Sequence, residues 1–232
     1  MFENVQPLAY NEGVLLGQAS DSGGIAKRRA KVVKNPLMLL LQGGPVYIKA
    51  SLPLEQFHHF LLSNDDLKIE RDKSGLIIIH PPMTLNSGYQ EGEAFFALKG
   101  WSKTNHLGRA YSPSTAFDLP DGSTHKADGA WIGISKLNRL SKAESERIAP
   151  IVPDFIMEVR SQSDRIAVLK KKMAEVWMAN GVALGWLIDP KEEKTWVYRK
   201  DGSVEEVANF ESVLHGEDVL PGFEFNLQEL KI

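Results

Sequence analysis

The chain has 232 residues, 43% hydrophobic and 25% charged, a composition that supports a buried core and argues against wholesale disorder. It contains no cysteine, which excludes disulfides, thiolate metal sites and cysteine nucleophiles. The net charge of −3 lacks the global basic footprint of a sequence-independent nucleic-acid binder, although basic runs occur at Lys27-Arg28-Arg29 and Lys170-Lys171-Lys172.

Residues 1–45 read as an N-terminal arm, with turn material at Asp21-Ser22-Gly23-Gly24 and a basic run from Lys27 to Lys34. The start of the chain has no basic signal-like region. The apolar stretch Pro36 to Leu41 is too short to span a bilayer, so no membrane association and a cytoplasmic location are expected. Residues 46–232 read as one domain. Val46 to Ala50 is a short strand, and Ser51 and Pro53 open a helix whose apolar face carries Leu54, Phe57, Phe60 and Leu61. Two apolar runs, Leu67 to Glu70 and Leu76 to His80, flank Asp72-Lys73-Ser74-Gly75 and predict a β-hairpin. After Pro81-Pro82, Asn86-Ser87-Gly88 precedes a helix from about Tyr89 to Thr104, with Phe95, Leu98 and Trp101 on its apolar stripe.

A strand region then runs from Gly108 to Leu119, and a second strand from Lys126 to Ile134. A polar helix-like segment covers Ser135 to Ala149, and Phe155 to Val159 is a strand. Ser161 to Ser163 can cap the next helix, whose apolar face is Ile166, Leu169, Met173, Val176 and Trp177 and which stops at Asn180-Gly181. Val182 to Ile188 is a nearly continuous apolar run, as in a strand buried on both faces, and Thr195 to Arg199 turns back through Lys200-Asp201-Gly202-Ser203. The order predicts an α/β (α+β) fold, a mixed sheet flanked by helices.

Two acids interrupt apolar strands: Asp128 in the first and Glu158 in the second. A carboxylate in a core strand is costly unless it is paired or binds a cation, and two on adjacent strands repel. A divalent cation relieves that repulsion, and hard oxygen ligands suit Mg²⁺, with Mn²⁺ as a substitute. Such an ion can polarise a phosphate and activate a water. Strand parity puts Arg160 on the face of Glu158, where arginine stays charged and cannot act as a base but can stabilise a phosphate. Lys172 flanks the apolar stripe of its helix, from which it can reach the strand ends.

The residues also carry a resemblance. The ordered strings are Ile69-Glu70-Arg71-Asp72, Phe117 to Ser123, Ala127-Asp128-Gly129-Ala130-Trp131-Ile132 and Pro153 to Ser161 with Ser163-Asp164-Arg165. They continue with Gly181-Val182, Gly185 to Pro190 and Gly216 to Phe223. Over about Leu67 to Phe225 the chain resembles the Uma-two-type restriction endonucleases of the PD-(D/E)XK, restriction-endonuclease-like superfamily. The resemblance implies that fold and Mg²⁺-dependent hydrolysis of DNA. It makes Asp128 the acid of the PD motif, Glu158 the first acid of the second motif and Lys172 the replacement for the lysine missing from E-x-K. Glu93 is the further acid on the preceding helix, with Glu91 as runner-up, so that Asp128, Glu158 and Glu93 hold the metal. The proline of the PD pair is Ala127 here, and the usual Ser-Pro-Ser is Ser161-Gln162-Ser163. Because cutting two strands takes two active sites, a homodimer is expected. The rival reading is a catalytically inactive nuclease-fold module that binds nucleic acid or protein. A small-molecule hydrolase finds no nucleophile motif, and His58-His59 is not spaced as a metal pair.

Overall fold

The computed structural model describes residues 44–50 and 52–232, so residues 1–43 of the predicted arm (1–45) lie outside the described residues. Strand β1 (Val46–Lys49) leads into helix α1 (Leu54–Leu62), which starts directly after Pro53 and buries Phe57 and Leu61. The predicted hairpin forms as β2 (Ile69–Arg71) and β3 (Leu76–Ile79), paired antiparallel. Helix α2 (Leu85–Asn105) begins four residues earlier than the sequence suggests. The Thr84 side chain accepts a hydrogen bond from Ser87 N, satisfying an N–H that the first turn would otherwise leave free.

The two long strands predicted next are each divided. Gly108 to Leu119 becomes β4 (Gly108–Tyr111) and β5 (Ala116–Asp118), which lie in different sheets. Lys126 to Ile134 becomes the end of β6 (Thr124–Lys126) and β7 (Gly129–Gly133), again in different sheets. Asp128 therefore sits not within a strand but in the break where the chain passes from one sheet to the other. The polar segment holds only two short helices, α3 (Ile134–Leu137) and α4 (Lys142–Ser145), the latter closed by a capping box between Ser141 and Glu144.

Strand β8 (Phe155–Val159) forms as predicted, followed by α5 (Ile166–Lys172), a π-helical turn (Met173–Met178) and β9 (Leu184–Asp189). Strands β10 (Lys194–Arg199) and β11 (Val204–Val207) form the predicted hairpin, and β12 (Val213–His215) pairs with β13 (Glu224–Asn226). One sheet runs β1-β3-β2-β6-β5, and the central one runs β11-β10-β9-β8-β7-β4. The β8–β9 pair is parallel, and its crossover is α5 with the π turn. The β7–β8 pair is antiparallel, so the central sheet is mixed.

Parity along β8 divides the core. Phe155, Met157 and Val159 pack with Ala94 and Leu98 of α2, whereas Ile156 packs with Met173 and Trp177 of the α5 side. Glu158 shares the parity of Ile156 and so faces α5. At Gly185 of β9 the crossover comes so close that an added Cβ would lie 2.7 Å from Met173 Cε and would require that side chain to move. No helix among the described residues is long and apolar enough to cross a membrane.

Candidate active site

The ladder between β7 and β8 pairs Gly129 with Met157. One step further along that antiparallel register sets Asp128 opposite Glu158, which is why two acids far apart in sequence meet at one sheet end. Both are almost wholly buried, Asp128 at 3% and Glu158 at 2% exposure. Asp128 Oδ2 accepts from the backbone N–H of Val159 at 2.8 Å, and its Oδ1 pairs with Lys68 Nζ at 2.6 Å. Burial alone would raise the Asp128 pKa, but the charge and hydrogen bond of Lys68 and the Val159 N–H hold it below the usual carboxylate range.

Glu158 is held from the other side. Its Oε1 pairs with Lys172 Nζ at 2.8 Å and accepts from Trp177 Nε1 at 2.7 Å. Lys172 and Trp177 are five positions apart, which on an ordinary α-helix would point them in different directions. The π turn between them, in which Ala179 N donates to Ala174 O, widens the helix and brings both donors to one oxygen. Burial pushes the Glu158 pKa up and Asp128 adds to this, against the opposing charge of Lys172. Lys172, favoured as a cation by Glu158 and Glu70 despite burial, is pushed up to about 12. It is therefore charged at neutral pH and serves as a donor rather than a base.

The helix acid that joins this group is Glu91, not Glu93. Two residues on an α-helix differ by about 200°, so only one of them can face the sheet end. Glu91 Oε2 is buried without a hydrogen-bond partner, and its pKa is pushed up to about 8, first by burial and then by the charge of Asp128. Glu93 is half-buried, and no hydrogen bond or ion pair of its side chain occurs among the described residues. Arg160 is also drawn away. Its guanidinium pairs at 2.7 Å with Asp189, which is fully buried, and donates to Asp164 O.

The structure thus brings together Asp128, Glu158, Lys172 and the runner-up Glu91 of the residues named from sequence, and adds Lys68, Glu70 and Trp177. Lys68 and Glu70 alternate on the hairpin strand, a polar pair on one face of an apolar run, and that alternation was the available signal. Trp177 carried no signal beyond its place on an apolar stripe, because its use depends on the π turn.

Glu91 supplies a test of its own. Its ordinary value of 4.5 is raised in the folded protein to about 8, so folding binds its proton more tightly. Between those two values the unfolded chain gives up the proton and the folded chain keeps it, and stability falls as pH rises through that window. In chelator, thermal midpoints measured from pH 5 to pH 9 should decline, and Glu91→Gln, which mimics the protonated acid, should flatten the decline. An unchanged slope in the variant would remove Glu91 from the coupled cluster.

The donor chemistry of this cluster fits a hard divalent cation. The carboxyls of Glu91 and Glu158 are both disfavoured as anions where they stand, and Glu91 Oε2 is an orphaned buried oxygen. Among the described residues, no three His, Cys, Asp or Glu side chains are already gathered in a metal-holding group.

Comparison with known proteins agrees with this geometry in fold and family. A solved structure described as "a putative nuclease belonging to DUF820 from Anabaena variabilis ATCC 29413" is similar to the chain with a TM-score of 0.59 at 20% identity. The similarity covers 70% of this chain and 88% of that one. No curated protein matches. The family model Uma2, whose description reads "Putative restriction endonuclease", matches residues 54–228. With most of its length under that match and a restriction-endonuclease-like fold beneath it, the chain belongs to the Uma2 family.

Proposed function

We propose that this protein is a Mg²⁺-dependent endonuclease that hydrolyses phosphodiester bonds of DNA. The observation that carries the reading is the convergence of Asp128, Glu158, Glu91 and the charged Lys172 at one sheet end, in a chain of a nuclease family. Asp128, Glu158 and Glu91 would hold the cation, with Mn²⁺ as a substitute; when bound it supplies Lewis-acid polarisation of the phosphate and an acidified water. Lys172 Nζ places a fixed positive charge beside Glu158, where it offsets charge developing on the phosphoryl oxygens. Without a cation Glu91 keeps its proton toward neutral pH, because burial and the charge of Asp128 raise its pKa to about 8, so binding the cation would displace that proton. The buried Trp177 and the Val159 N–H keep both acids in fixed rotamers.

One observation favours a second reading, an inactive nuclease-fold binding module: Lys68 lies on Asp128 Oδ1, where a cation would compete with it. The two readings part on a single comparison. Supercoiled DNA is incubated with wild type and with Asp128→Ala, in Mg²⁺, Mn²⁺ or chelator, and Mn²⁺ binding is followed by calorimetry on both proteins. Metal-dependent nicking and a binding isotherm, both lost in Asp128→Ala, are expected. An absence of Mn²⁺ binding to wild type would overturn the metal reading and leave the binding module.

A further inference from the structure

We infer that Glu70 is the positioning residue for Lys172, a deepening that rests on the nuclease reading of the same site. Glu70 stands on β2, in the other sheet, and is only 1% exposed. Four groups converge on its carboxylate. Oε1 accepts from Lys172 Nζ at 2.8 Å and from Lys126 N at 2.9 Å. Oε2 lies 3.0 Å from His80 Nε2 and 3.4 Å from His125 Nδ1. With both oxygens held, the carboxylate cannot rotate, and its position is set by the sheet rather than by Lys172.

Lys172 is fixed in turn. An ammonium has three N–H donors, and here the acceptors are Glu70 Oε1, Glu158 Oε1 and, at 3.1 Å, Lys126 O. The peptide of Lys126 serves twice: its N–H steadies Glu70 and its carbonyl receives Lys172. Glu158 belongs to the cluster proposed to hold the cation, whereas Glu70 and Lys126 do not. Lys172 is thus suspended between one acid inside the site and an anchor outside it. When a cation draws on Glu158, the anchor retains the ammonium beside the phosphate position instead of letting it follow the carboxylate or swing to solvent. This assigns a role to the Ile69-Glu70-Arg71-Asp72 string, whose conformation alone requires no acid at position 70.

Native-state acetylation of lysines, read by mass spectrometry at fixed pH without metal, tests the anchor without any need for cleavage. Glu70→Gln retains an acceptor and nearly the same shape but removes the charge; Glu70→Asp retains the charge but withdraws it by one methylene. Lys172 should be protected in wild type and acetylated about tenfold faster or more in Glu70→Gln, with Glu70→Asp between them, while Lys99 and Lys136, which bond elsewhere, keep their wild-type rates. Protection of Lys172 unchanged in Glu70→Gln would overturn the proposal, as would equally faster labelling of Lys99 and Lys136, which marks a loosened fold. A second readout is DNA cleavage, where Glu70→Gln should lower kcat by about 10- to 100-fold with KM unchanged. A wild type that does not cut DNA would count against the nuclease reading, and the labelling pattern would then decide the anchor by itself.

Discussion

Glu158→Gln should lose metal-dependent DNA cleavage by about a thousandfold while making the metal-free protein more resistant to heat. The two effects share one cause. Glu158 is buried with its charge disfavoured, first by burial and then by the neighbouring Asp128. The amide keeps an oxygen for Lys172 and Trp177, which both reach Oε1, but carries no charge to repel Asp128. Relief of that repulsion stabilises the fold, and the same loss of charge removes a cation ligand. Thermal midpoints in chelator and nicking rates in Mg²⁺ check both halves. A midpoint below that of wild type would show that the carboxylate is a net stabiliser and that the cluster is not strained.

Lys172→Met should do the opposite to stability, with a loss of about 3–5 kcal/mol. Methionine fills the space of the aliphatic stem, so the packing of α5 survives. What disappears is the ammonium shared by Glu70 and Glu158, both nearly inaccessible to water. Two buried carboxylates then face each other with less compensation, and breaking a buried pair by removing one partner is far more costly than any exposed ion pair. Denaturant unfolding gives the number. The contrast with Glu158→Gln is the informative part: one neutral substitution stabilises and the other destabilises, although both remove a charge from the same contact. A loss below about 1 kcal/mol would mean that water reaches the pair and solvates it.

Much of the scaffold was legible in the sequence because burial leaves a period. Phe155 to Val159 is apolar on both faces and forms β8, and the hairpin around Asp72-Lys73-Ser74-Gly75 forms where its turn residues stand. Asp128 and Glu158 stood out because a charge in such a run needs a partner, and the structure does set them together. What the sequence hid depends on tertiary context. Ala127 and Asp128 join two strands whose side chains read as one apolar run, so the passage between sheets leaves no local mark. That Glu91 rather than Glu93 lies beside Asp128 was hidden for a related reason. The helix carries Leu85, Tyr89 and Phe96 exposed as well as Ala94 and Leu98 buried, so its apolar residues do not define a single face from which to set the phase. Lys68 is brought to Asp128 by the pairing of β2 with β6, a contact that no spacing along the chain announces.

The widened turn after Lys172 gives this site a tolerance in count that it lacks in chemistry. A π turn is an α-helical turn that has taken in one extra residue. Removing Ala174, a small side chain that no bond to Glu158 uses, would return the helix to its regular winding and leave Lys172 and the tryptophan four positions apart, on one face. Both donors would still meet at the same oxygen. A one-residue deletion here would therefore spare the arrangement that replacing Glu158 erases, and most substitutions at position 174 would pass without effect.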